Sequence, residues 1–312
     1  MIKQINLMKW AKLKSLKISV HILGLIMVFV LVTGCSAKET DTIKIATKPM
    51  TEQFILSEML ALLIEQETGI ETEITKGIGG GTSNIHPAIV NGEFDLYPEY
   101  TATGWFMVLN KTDLPDDEEV FAELQKEYSE QYGLTWVGKY GFNNTYAVAV
   151  RKEVADQYGL KTGSDLAKVS DQLIFGTNPD YLERPDGYFS LCEAYGFNFK
   201  HTMEIDIGLR YTALANKEID VVSAFTTDPQ LNTGDLIVLE DDKGYFTNYF
   251  AGTVVREDAL KKYPGLETAL LKMNNILSDS KMAELSYMLE VDHRDEKDIA
   301  REFLIEEGLL DV

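Results

Sequence analysis

Three features of the sequence predict an α/β protein built from two similar units. A nine-residue pattern occurs twice, as A-I-V-N-G-E-F-D-L from Ala88 and as A-L-A-N-K-E-I-D-V from Ala213, 125 positions later. Each copy reads as a helix end, a tight turn and a short apolar strand. Around them, short apolar runs bounded by Gly, Pro and Asn alternate with segments of helical spacing. The same offset sets Tyr100 on Phe225, so each unit carries an aromatic ring just past a strand end, where open sheets bind ligands.

The chain opens with five lysines, an apolar run over residues 18–32 and the pentapeptide L-V-T-G-C ending at Cys35. The run is short for a bilayer-spanning helix, which needs about 20 residues. Residues 1–34 therefore read as a signal peptide. L-V-T-G-C resembles a bacterial lipobox, which implies cleavage before Cys35, its acylation and an extracytoplasmic, membrane-anchored product. Residues 35–42 form a polar tether. Residues 43–46 then read as a strand, and Lys48-Pro49 as a turn, because the residue before proline is held extended. Thr51 is expected to cap a helix that stops at Gly69. A strand at Glu71–Thr75 leads to Gly77, Gly79, Gly80 and Gly81, a turn that lacks the lysine of a phosphate loop. Residues 114–128 read as an exposed helix with acids in its first turn, and residues 135–139 and 146–150 as strands. The first crossing between units is expected near residues 138–141. The second unit is read as a cap at Ser164-Asp165, a strand over 173–176, a loop over 178–187, a helix ending at Gly196 and strands over 219–224 and 236–240. Residues 241–246 are read as the return crossing, and the spacing from Pro264 onward as helices that pack back on the first unit. The resulting domains are lobe I, residues 43–138 and 245–312, and lobe II, residues 139–244.

Asp and Glu outnumber Lys and Arg by 50 to 29. Loss of the leader, with its five lysines and no acid, takes the net charge from −21 to −26. Such a body offers no basic face to nucleic acid. With Cys35 acylated, Cys192 has no partner for an internal disulfide and reads as a small buried residue. None of the four histidines has metal-site spacing, and no nucleophile elbow or Walker motif is present. The residues thus suggest neither an enzyme nor a cofactor. Aromatic residues concentrate instead in the presumed loops, and rings converging in a cleft attract a quaternary ammonium ion.

K-P-M-T-E-Q, D-L-Y-P-E-Y-T-A-T-G, F-N-N-T-Y-A, R-P-D-G and A-F-T-T-D occur in order along the mature chain. Together they resemble the motifs of the osmoprotectant-binding proteins of ABC importers, which take glycine betaine, carnitine or choline. The resemblance implies a two-lobed periplasmic-binding fold of type II, with two crossings between discontinuous lobes. It implies an aromatic cage of Tyr100, Tyr146, Phe225 and Tyr249, and a carboxylate clamp of Lys48, Thr103 and Arg184. Gln53 and Asn144 are expected to support the site. The implied partners are a permease and a separate ATPase subunit. Phe225 replaces a tyrosine frequent in the family, and Ala102 a common glycine. The presence of two cations favours a carboxylate-bearing solute over choline; a choline-preferring receptor, or one for another small cation or amino acid, is the alternative.

Overall fold

The computed structural model describes residues 41–112, 115–232 and 234–311. The leader and Cys35 lie outside the described residues. Two five-stranded sheets form the framework. The first runs β2-β1-β3-β10-β4, from β1 (Thr42–Ala46), β2 (Glu71–Thr75), β3 (Leu96–Tyr100), β4 (Leu134–Asn143) and β10 (Phe250–Arg256). The second runs β7-β6-β8-β5-β9, from β5 (Tyr146–Arg151), β6 (Ile174–Thr177), β7 (His201–Glu204), β8 (Val221–Phe225) and β9 (Leu236–Val238).

The two sheets share one plan. In the first, β1 pairs parallel with β2 and β3, and β10 runs antiparallel to β3 and β4. In the second, β6 pairs parallel with β7 and β8, and β5 runs antiparallel to β8 and β9. Thus β3 corresponds to β8, the relation that the repeated nonapeptide implies. Both strands are buried throughout, as expected of strands covered on two faces. Tyr100 and Phe225 are the last residues of these strands rather than members of the loops that follow.

The helix Thr51–Thr68 lies at the centre of the first half, packed against Leu266–Leu271, Asp279–Glu290 and Glu296–Glu306. Its burial extends round most of its circumference, so the amphipathic stripe of a surface helix is absent. Gly69 terminates it at φ 68°. Its N-cap is Met50, without a side-chain cap, and the Thr51 hydroxyl donates to Glu290 instead. In place of the cap expected at Ser164-Asp165, Thr162 is the N-cap and forms a capping box with Asp165. Within the expected loop 178–187, Pro179–Glu183 is a short helix. Cys192 is half-buried.

The first crossing requires a correction. β4 continues through residues 138–141, where Gly138 (φ 69°) and Gly141 (φ 106°) accompany the register shifts against β10. Positive-φ glycines serve β-bulges as well as turns, so glycine content alone did not distinguish the two. The chain leaves the first sheet after Asn143 and enters the second at Tyr146, and it returns between Val238 and Phe250. The two crossings are bonded side by side. Asn144 N donates to Tyr249 O at 3.1 Å, and Tyr249 N donates to Asn143 Oδ1 at 2.7 Å.

Candidate ligand site

Strand pairing brings the aromatic residues together two by two. Tyr146, the first residue of β5, lies opposite Phe225 at the end of β8. Tyr100, at the end of β3, lies opposite Ala251, two residues after Tyr249. The crossings then bring one pair to the other across the interlobe space. Tyr146 is the ring common to the contacts, with centroids 4.9 Å from Phe225, 5.5 Å from Tyr249 at 79°, and 4.3 Å from Tyr181, on which it stacks. Tyr100, Tyr146, Phe225 and Tyr249 all line a cavity of about 220 Å³, which Lys48, Thr103, Arg184 and Asn144 also line. Gln53 stands behind this wall and donates to the Tyr100 hydroxyl at 3.0 Å.

The cations at this cavity are already paired. Lys48 forms an ion pair with buried Glu99, and its Nζ lies 4.7 Å from the Tyr100 ring centroid. Glu99 also accepts from Thr82 Oγ1 and from Tyr100 N, both at 2.7 Å. Arg184 directs Nε and Nη2 to the two oxygens of Asp186 at 3.0 and 2.9 Å. From Nη1 it donates to Thr103 Oγ1 at 3.1 Å, and from Nη2 to the Tyr249 hydroxyl at 3.0 Å. Its guanidinium lies 5.3 Å from the Tyr249 centroid and 5.6 Å from that of Tyr146. Behind Phe225, Arg210 stacks at 4.6 Å and pairs with Asp228 at 2.6 Å. Asp228 also accepts from Phe225 N, which holds the strand end in place.

Burial governs the ionisation of these groups. It pushes the Lys48 ammonium below its ordinary value, with Glu99 acting in the opposite direction. It also opposes the charge on Arg184, but Tyr249, Tyr146 and Asp186 more than offset it and hold that group above its usual range. The Tyr146 hydroxyl is pushed up to about 12 by burial, so the ring is neutral at physiological pH. Glu52 is raised by burial although Tyr100, Asn144 and Thr227 all donate to it. Asp180, on the cavity wall, is raised by burial against the attraction of Lys48 and Arg184.

Glu52, Glu99, Asp186 and Asp228 are the site residues that sequence reasoning passed over, together with Arg210 and Asp180. Their signal was within the quoted motifs. K-P-M-T-E-Q contains Glu52, D-L-Y-P-E-Y contains Glu99, R-P-D-G contains Asp186 and A-F-T-T-D contains Asp228. D-L-Y-P-E-Y, R-P-D-G and A-F-T-T-D each join a ring or cation to an acid that holds it, whereas in K-P-M-T-E-Q Glu52 accepts from Tyr100 and Lys48 pairs with Glu99, both of another motif.

A profile described as the substrate binding domain of ABC-type glycine betaine transport systems matches residues 41–306. The chain belongs to this family. An ergothioneine transport permease/ergothioneine binding protein of Helicobacter pylori is 44% identical over 275 residues, covering 88% of this chain but 49% of that relative, so the chain spans about half of it. A carnitine transport binding protein of Listeria monocytogenes is 36% identical over 273 residues, covering 87% of this chain and 88% of the relative. A crystal structure of a glycine betaine/carnitine/choline ABC transporter protein superposes with a TM-score of 0.69 at 33% identity, over 86% of this chain and all of that one. The family's architecture is the two-lobed, type II periplasmic-binding fold, in which the cavity lies between the sheets. Its members are solute-binding proteins of ABC transporters, not enzymes.

Proposed function

We propose that this chain is the extracytoplasmic solute receptor of an ABC importer and that it captures a quaternary-ammonium compatible solute between its lobes for osmoprotectant uptake. The observation that carries this reading is the convergence of Tyr100, Tyr146, Phe225 and Tyr249 on one cavity whose wall also includes Arg184 and Thr103. A trimethylammonium group donates no conventional hydrogen bond, so it is recognised by ring faces, each worth roughly 0.5 to 2 kcal/mol. Arg184, Thr103 and Lys48 serve the carboxylate of a betaine. Glycine betaine, carnitine and ergothioneine all combine these two groups, and relatives or the family description carry each of their names. Acylated Cys35 tethers the receptor, lobe I comprises residues 43–143 with the segment from Phe250, and a permease with a separate ATPase receives the solute.

A second reading, a choline-type cation, draws on the pairing of Lys48 with Glu99 and of Arg184 with Asp186, which leaves neither cation's charge unmatched. Calorimetric titration of the purified chain with glycine betaine, carnitine, ergothioneine and choline at one pH and salt concentration distinguishes the two. Stronger binding of the carboxylate-bearing solutes supports the clamp, and stronger binding of choline discards it while keeping the cage. Tyr146→Ala is expected to weaken every ligand bound by about tenfold or more, since it removes the ring shared by the cage contacts. Undiminished affinity in that variant rules out the cage.

A further inference from the structure

Among the described residues, the charged side chains around the cavity are satisfied within the protein, with one exception. Lys48, Arg184 and Arg210 have Glu99, Asp186 and Asp228 as partners, and Glu52 receives three hydrogen bonds. The Asp180 carboxylate lines the same cavity, half-buried, and makes no hydrogen bond or ion pair among the described residues. Asp180 lies in the helix Pro179–Glu183, where its backbone carbonyl accepts from Arg184 N at 3.1 Å. Its Oδ2 lies 3.1 Å from the position a Cβ on Gly81 would take, so the bare Gly81 backbone leaves room beside the carboxylate. Two residues earlier, Asn178 is buried on the same wall with no hydrogen bond to its Oδ1. A buried acceptor without a donor, such as Asn178 Oδ1, is costly, and a solute that displaces water from the Asp180 carboxylate must supply a donor in its place.

We propose that Asp180 reads the substituent of the solute, accepting a hydrogen bond from an N–H or O–H, and thereby selects betaines that carry such a donor over glycine betaine, which has none. This rests on the quaternary-ammonium reading above and extends it from the common headgroup to the part of the solute that differs. A hydrogen bond to a charged acceptor is strong enough to rank ligands that share the same cage contacts.

Three net-neutral probes isolate the effect: glycine betaine without a donor, carnitine with a hydroxyl, and ergothioneine with ring N–H groups. Equal net charge cancels the long-range electrostatic consequence of removing the carboxylate. For the purified full chain, calorimetry is expected to show carnitine or ergothioneine binding about tenfold or more tightly than glycine betaine. Asp180→Ala removes that preference, bringing carnitine and ergothioneine to the affinity of glycine betaine in the same variant, whereas Asp180→Asn, which keeps an acceptor oxygen, restores part of it. Equal losses for all three probes, or unchanged discrimination, overturn the assignment of Asp180 while leaving the receptor reading in place. A folded wild-type chain that binds none of the three overturns both.

Discussion

Because Asp186 accepts from both Nε and Nη2 of Arg184, a ligand carboxylate must share this guanidinium with an acid already in place. Nη1, directed at Thr103 and Met107, is the donor that Asp186 does not occupy. This geometry makes Arg184 a pre-oriented group rather than a flexible surface cation, and orientation is what a planar fork contributes to carboxylate recognition. Arg184→Ala is predicted to weaken glycine betaine by roughly 2 kcal/mol or more, about thirtyfold, and choline by much less. The comparison of the two ligands by titration is the check. Equal losses would mean that Arg184 maintains the cavity through Asp186 and Tyr249 without reading the carboxylate.

At the scale of elements, the repeated nonapeptide was a sound guide because it encodes the same helix-to-strand passage before β3 and before β8. β10 was not anticipated, although it is the strand that joins β3 to β4. Its sequence, F-A-G-T-V-V-R, is too short and too uniformly apolar for periodicity to distinguish it from a buried helix segment. The glycines of β4 misled for a related reason, since bulge and turn impose the same backbone requirement. Gly141 shows how demanding that requirement is. At φ 106°, an added Cβ would lie 2.5 Å from Leu277 O and 3.0 Å from Asn275 Cα. Gly141→Ala is predicted to destabilise the fold by about 1 to 3 kcal/mol. It should appear as a lower urea midpoint at unchanged slope, and an unchanged midpoint would show that the segment relaxes freely.

Across the whole molecule, side chains from opposite lobes meet around the cavity. Thr227 donates to Glu52 at 2.7 Å, Arg184 reaches Thr103, and Gln230 donates to Glu290. A solute contacting both lobes adds to this set, and that difference in interaction between open and closed states is what drives closure. Glu52 makes the arrangement sensitive to pH. Burial raises its carboxyl above the ordinary value of 4.5, so the folded chain retains this proton to higher pH than the unfolded chain does. The associated stability is full below the unfolded-state value and is lost as pH rises through the folded-state value. Glu52→Gln removes that titration. The stability of wild type minus that of the variant, from urea unfolding, is therefore predicted to decline as pH rises above about 4.5. A difference that stays constant with pH would show that Glu52 titrates alike in both states.

Taken by itself, the amino-acid sequence determined the α/β class and the internal repeat, and its resemblance to the family named the seven cage and clamp candidates. All of these are carried locally, by periodicity over a few residues or by short motifs at strand ends. Tertiary structure decided how the other charges of the site are matched, Arg184 and Asp186 being neighbours in sequence. Lys48 meets Glu99 from 51 positions away, and Glu52 meets Thr227 from 175, because sheet order and paired crossings bring them together. Outside R-P-D-G, no local pattern records which acid will neutralise which cation, since that depends on the strands' neighbours in space. The same holds for Asp180, whose carboxylate stands out only once the other charged side chains around the cavity have found their partners among the described residues.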